Sequence, residues 1–223
     1  DKKKAGLVIK GYAGTGKTTL ISSLVQACEE KKMKIILLAP TGRAAKVMSN
    51  YSQKESSTIH RHIYNVRQKK EGYFFSLAKN KLKDTLFVVD EASMIPGKDI
   101  SANSDMFASS LLSDLLTFIY SGKGCKAIFV GDHAQLPPVG WDTSPALDVQ
   151  YLNEIREADF YQFELRQVVR QAKGSGILNE ATNLRNNIEN EYYNLSISTS
   201  LKDVEKLNSF DVEDSLSCSF SES

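Results

Sequence analysis

The sequence predicts an α/β domain, a parallel sheet with helices on both faces and a small β-hairpin inserted into it. Three observations predict it. Four short apolar runs, Leu7 to Ile9, Ile35 to Ala39, Leu86 to Val89 and Ala127 to Val130, carry no polar alternation, as expected of strands buried on both faces. Helical patterns lie between several of them: Lys17 to Lys31 puts Leu20, Ile21, Leu24 and Cys28 on one face, and Met106 to Tyr120 aligns Phe107, Leu111, Leu115 and Phe118. The first run also leads straight into GYAGTGKT, a glycine-rich loop at residues 11 to 18 that opens a helix. Strand–helix–strand repetition implies a doubly wound sheet, in which ligands bind at the carboxyl ends of the strands. The residues just after each run are therefore the candidates for chemistry.

After the first run, Gly11, Gly14 and Gly16 let the backbone of Gly11, Ala13, Gly14, Thr15 and Gly16 fold into a nest of inward N–H groups, whose natural guest is an anion. Lys17 brings charge to the outer phosphates of a nucleotide. Thr18 offers a hydroxyl to Mg²⁺, and Thr19 continues the helix whose N-terminus favours negative charge. The loop is a complete P-loop. A dinucleotide fingerprint would need glycine where Thr19 stands and an acid where Ala39 and Pro40 stand.

After the second run comes PTGRAAK. Pro40 stops the strand and Thr41 caps a helix through Ala44, Ala45 and Val47. Alone this is a plain turn; equally, the free N–H groups around Gly42, with Arg43 beside them, suit a backbone phosphate of a polymer. The third run ends in LFVVDEASM, where Asp90 is placed to hold Mg²⁺ and Glu91 to deprotonate a water attacking the terminal phosphate. An Asp-Glu pair after four apolar residues, in a chain with a P-loop, argues for hydrolysis. The fourth run ends in GDHAQLPPVG. Gln135 there either senses the terminal phosphate or belongs to a turn stiffened by two prolines.

Bulk properties narrow the function classes. A net charge of +1 over 223 residues confines any polyanion contact to a local patch. Cys28, Cys125 and Cys218 show neither disulfide nor zinc-ribbon spacing, so a reducing cytoplasm is expected. No apolar run reaches membrane-spanning length. His60 and His62 fall on different faces of any helix and His133 has no cysteine at ligand spacing, so zinc is not expected. Ile63 to Lys79 reads as a hairpin turning at Glu71-Gly72. Tyr73, Phe74 and Phe75 in it suit either base stacking or packing on their own domain, and Arg67, Lys69 and Lys70 either phosphates or solvent.

Taken in order, GYAGTGKTT, APTGRAAKV, STIHR, VVDEASM, GDHAQLPPVG and LRQVVRQ resemble the successive motifs of superfamily-one 5′-to-3′ DNA helicases of the RecD-like branch, over roughly residues 7 to 180. The resemblance implies a RecA-like P-loop ATPase domain using ATP and Mg²⁺, acting on single-stranded DNA in repair or recombination, with nuclease or repair-complex subunits as partners. It implies that Lys17 and Thr18 bind the phosphates and Mg²⁺, that Asp90 ligates the metal and that Glu91 activates water. It further implies that Gln135 couples the terminal phosphate to DNA and that Arg170, in QVVRQ, approaches that phosphate. Pro40, Thr41, Gly42 and Arg43, with Thr58 and His60, match the positions that grip the strand, and the hairpin matches a pin that splits the duplex.

Against the family pattern the sequence shows no upstream glutamine-bearing adenine segment and no second RecA-like domain. Residues 1–190 are expected to form the ATPase domain, with the hairpin insertion at about 63–80, and residues 191–223, with nine serines after Leu195, to be a polar tail beginning an incomplete second part. Such a chain is expected to bind nucleotide but to turn it over poorly, because the arginine supplied from a second domain is worth about 10³ to 10⁵ in rate. The alternative expectation is a nucleotide-gated DNA-binding module completed by a partner protein.

Overall fold

The computed structural model describes residues 4–69, 72–97, 110–156, 158–166 and 183–184. Its centre is a six-stranded sheet. Strands β1 (Ala5–Gly11), β2 (Lys34–Ala39), β3 (Ser56–Thr58), β6 (Thr85–Val89), β7 (Lys126–Gly131) and β8 (Asp159–Leu165) lie in the order β3-β2-β6-β7-β1-β8. Every pairing in this sheet is parallel. Strands β4 (Tyr64–Lys69) and β5 (Gly72–Leu77) form the separate antiparallel hairpin, with Tyr64 opposite Leu77 and Lys69 opposite Gly72.

Helices cover both faces, as the sequence predicts. On one face α1 (Lys17–Glu30) and α2 (Gly42–Ser52) bury Ile21, Val25, Cys28 and Met48 against Ile9, Ile35, Leu37, Val88 and Val130. On the other, α3 (Ile59–Ile63), α4 (Leu111–Ser121) and α5 (Val149–Arg156) pack Ile59, Ile63, Leu112, Leu115, Leu116, Ile119 and Leu152 on Val8, Leu38, Phe87, Val89 and Phe129. Neighbouring strand residues thus enter opposite cores, Val88 one and Phe87 and Val89 the other, which is why these strands read as unbroken apolar runs. Truncating a fully buried leucine such as Leu115 to alanine is expected to cost about 2–5 kcal/mol.

Several details differ from the sequence reading. The buried stripe of α1 runs through Ile21, Val25 and Cys28, with Leu20 at the exposed rim, and α2 buries Ala45 and Met48 while Val47 stays exposed. Helical pitch is the reason: 100° per residue carries Leu20 and Val47 round to the rim, away from the sheet-facing stripe. Helix α4 starts later than its apolar pattern, because the Ser110 hydroxyl accepts from Ser113 N and sets the N-cap there; Phe107 lies outside the described residues. Two edge strands carried no apolar run. Ser56–Thr58 is three polar residues, and Asp159–Leu165 buries Phe160 but leaves Tyr161 and Phe163 exposed.

The strand order positions the chemistry. Strand β7 lies between β1 and β6, pairing Val8 with Phe129 on one side and Val89 with Phe129 on the other. The carboxyl end of β7 therefore separates the loop after β1 from the acids after β6. Strands β2 and β3 pair Ala39 with Thr58, so the turn at Pro40 and the start of α3 emerge side by side.

Candidate active site

The loop after β1 has the backbone its glycines predict. Gly14 and Gly16 sit at φ 80° and 89°, where a side chain would be strained, and Gly16 forms the N-cap of α1 without a capping side chain. A Cβ on Gly11 would lie 2.5 Å from Thr15 Oγ1, so that position too is restricted to glycine. Thr15 closes the turn, its N–H and hydroxyl both donating to Tyr12 O at 3.3 and 2.8 Å. Ala13 and Thr19 are exposed and Thr18 is half-buried.

Lys17 folds back over this loop. Its ammonium donates to the carbonyls of Gly11 at 2.6 Å and Tyr12 at 2.9 Å, and lies 3.8 Å from Asp132 Oδ2. Two of its three donors are thus spent on loop carbonyls, with the Asp132 carboxylate at ion-pair distance; a bound phosphate would take the place of some of these contacts. Asp132, at the end of β7, is itself buried and accepts from Ala134 N at 2.9 Å through Oδ1. Above the loop, Tyr12 and His133 stand with ring centroids 4.6 Å apart and Tyr12 Oη 3.0 Å from His133 Nε2.

The acids after β6 are held from two sides. Asp90 N donates to Leu38 O, extending the sheet by one residue, while Oδ1 of Asp90 accepts from Glu91 N at 2.9 Å and Oδ2 accepts from Tyr51 Oη at 2.7 Å. Glu91 sits at φ 51°, a left-handed conformation uncommon outside glycine. Burial first, and the Asp90 charge second, push the Glu91 carboxyl above its ordinary value; a hydrogen bond from Gln135 and the Lys17 charge oppose this. The Gln135 amide is fixed in turn, its Oε1 accepting from Ser93 Oγ at 3.0 Å. Burial, the Asp90 charge and their hydrogen bond keep the Tyr51 phenol protonated well past its usual range.

Lys17, Asp90, Glu91 and Gln135 thus converge, linked through Asp132 and Ser93, at the carboxyl ends of three neighbouring strands. The residues present fit Mg²⁺: a hydroxyl on Thr18 and a carboxylate on Asp90 are the hard oxygen donors it takes. Asp90 and Asp132 both push the Glu91 carboxyl upward, the strain of clustered negative charge that a divalent cation relieves. The structure adds Tyr51, Ser93 and Asp132 to the group. Asp132 lay inside a quoted motif, whereas Tyr51 is 39 residues from the acid it contacts and carries no local signal.

The other predicted residues form a second, more open group. The Thr41 hydroxyl accepts from Ala44 N at 3.2 Å and caps α2; the Thr58 hydroxyl accepts from Arg61 N at 3.3 Å and caps α3. Pro40 is half-buried, while Gly42, Arg43 and His60 are exposed, and register places the two turns together. His62 instead turns inward, edge-on to Phe87 and Phe118, where burial lowers its basicity. At the base of the hairpin Tyr64 donates to Asp114 Oδ2 at 2.6 Å and meets the half-exposed Phe75 edge-on. The side chains of Arg67, Lys69, Lys70, Tyr73 and Phe74, together with Arg170 and the tail from 191, lie outside what the structure describes. No described helix is long and apolar enough to cross a membrane.

A family model described as an AAA domain matches residues 2–200. The chain is 32% identical over 201 residues to the RecBCD enzyme subunit RecD of Buchnera aphidicola subsp. Schizaphis graminum (strain Sg), covering 81% of this chain and 30% of that protein. It is 34% identical over 190 residues to the ATP-dependent DNA helicase dda of Enterobacteria phage T4, covering 83% and 39%. To the ATP-dependent RecD2 DNA helicase of Deinococcus radiodurans it is 29% identical over 178 residues, covering 80% and 21%. The chain therefore spans between about a fifth and two fifths of the length of these relatives. They agree with the RecD-like resemblance carried by the six motifs.

Proposed function

The chain belongs to the AAA-domain family, whose members bind nucleotide, and from that premise we propose that it is the ATP-hydrolysing motor unit of a DNA helicase. The observation that carries the reading is the insertion of β7 between β1 and β6. It gathers Lys17, Asp132, Gln135 and Glu91 into one connected group beside Asp90. In this reading the nest from Gly11 to Thr19 cradles the phosphates, Lys17 exchanges its loop carbonyls for phosphate oxygens, and Thr18 and Asp90 hold Mg²⁺. The metal supplies charge neutralisation on the phosphates. Glu91 takes the proton of the attacking water; its raised proton affinity suits a base as long as it remains ionised. Gln135, hydrogen-bonded to Glu91, is placed to report the state of the terminal phosphate to the elements beyond it.

Pro40 to Arg43, Thr58 and His60 are proposed to hold single-stranded DNA, through capped helix starts that leave N–H groups and Arg43 open to backbone phosphates. The 5′-to-3′ direction, the role in repair or recombination, the duplex-splitting use of the hairpin and the approach of Arg170 to the terminal phosphate are proposals that rest on the resemblance. Steady-state Mg-ATP turnover with and without an oligo-dT strand tests the reading. Turnover that rises with the strand and is lost in Glu91→Gln is expected. Mg-ATP binding that neither depends on Lys17 nor responds to DNA would overturn it.

A further inference from the structure

A contact that the proposed site motifs leave unused runs from Tyr51 to Asp90. Tyr51 sits in the last turn of α2, and its hydroxyl reaches across to a strand end 39 residues later in the chain, at 2.7 Å. Its backbone is anchored as well: the carbonyl of Tyr51 accepts from Ser22 Oγ at 3.0 Å, and the same hydroxyl lies 3.0 Å from the carbonyl of Thr18. One hydroxyl therefore bridges the backbone of the proposed metal-binding threonine and the backbone of the tyrosine that holds the proposed metal-binding aspartate. Among the described residues Asp90 has two donors, one per oxygen, from Glu91 N and Tyr51 Oη. A carboxylate pinned on both oxygens keeps one orientation, with lone pairs left over for a cation. Partners of this kind around a ligating carboxylate typically change metal affinity about 10–100-fold when removed.

We propose that Tyr51 is a positioning residue of the Mg²⁺ site, fixing the Asp90 carboxylate from α2 while Ser22 keys α2 to the first turn of α1, which carries Thr18. The inference rests on the reading of Asp90 as a metal ligand. Its test measures binding rather than turnover: a fluorescent, non-hydrolysable ATP analogue is titrated into the chain in EDTA, and then against rising Mg²⁺. Tyr51→Phe is expected to raise the Mg²⁺ concentration for half-maximal effect about tenfold while leaving the affinity in EDTA unchanged. Ser22→Ala, which keeps the phenol but frees α2, is expected to shift the same midpoint in the same direction by less. If Tyr51→Phe leaves the Mg²⁺ midpoint at the wild-type value while Asp90→Asn abolishes the Mg²⁺ response, the positioning role is wrong and the metal reading stands. An equal loss in EDTA and in Mg²⁺, with a lower Tm, reduces Tyr51 to a packing residue and overturns the inference. If Asp90→Asn itself leaves the Mg²⁺ response intact, the metal reading fails and the inference falls with it.

Discussion

The group at the ends of β1, β6 and β7 and the group at the starts of α2 and α3 are both built where parallel strands end, yet they are finished differently. In the first, Lys17, Asp90, Glu91, Gln135 and Asp132 are all engaged by neighbouring protein groups. In the second, two threonines cap their helices and the cation Arg43 stands exposed, with no ion pair to another described residue. Chemistry on a phosphate needs atoms fixed in advance, because electrostatic stabilisation depends on donors that do not reorganise. Gripping a repetitive, flexible polymer needs only accessible charge and free N–H groups. Preorganisation on one side and openness on the other suit the two roles proposed for them.

Four substitutions sharpen or break that contrast. The largest effect is expected in Glu91→Gln, with kcat for ATP falling about 10²–10⁴-fold while nucleotide affinity is retained; loss of affinity in a binding titration would move Glu91 from base to ligand. The same variant tests the electrostatics. A carboxyl raised in the folded state favours folding when protonated, so its contribution is fully present below its ordinary value of 4.5 and is lost as pH rises through the folded value. Thermal unfolding without Mg²⁺ should therefore show Glu91→Gln gaining on the wild type as pH rises from about 4.5 toward neutrality.

Lys17→Ala is expected to cost about 10²–10³-fold in turnover by removing one preorganised charge, with affinity falling as well. Turnover equal to wild type would mean that the loop does not hold the reacting phosphate. On the open side the effects shrink. Arg43→Ala should weaken oligo-dT binding severalfold and reduce the log–log salt slope by about 0.7, one phosphate contact, with ATP affinity untouched. An unchanged slope removes Arg43 from the strand path. Smallest is Thr41→Ala, expected to lower stability by about 1 kcal/mol through the lost cap, as read by urea denaturation. Were its effect on ATP turnover larger than that of Arg43→Ala, the two groups would not be as separate as their geometry suggests.

Legibility followed burial. Strands β1, β2, β6 and β7 stood out because both faces are covered, so each carries an unbroken apolar run at its centre. At the sheet edges β3 and β8 have a face or a flank in solvent, and SST and DFYQFEL carry no comparable run. The hairpin was legible because its turn and pairing are local, Lys69 against Gly72. Helix faces were half legible: the period of α1 was right, but which rim meets the sheet depends on the sheet, and Leu20 proved exposed where Val25 is buried.

By itself the sequence determined the α/β class, the phosphate nest and the acid pair, because each is written in consecutive residues whose backbone needs are local: glycine at left-handed φ, an apolar run ending in carboxylates, a threonine before a helix. Only the tertiary structure decided which side chains meet. Placing β7 between β1 and β6 brings Asp132 to Lys17 and Gln135 to Glu91, and packing α2 against α1 brings Tyr51 to Asp90 and Ser22 to the Tyr51 carbonyl. Those pairings depend on strand order and on the rotation of helices about their axes, quantities set by how two cores close around one sheet rather than by any stretch of chain.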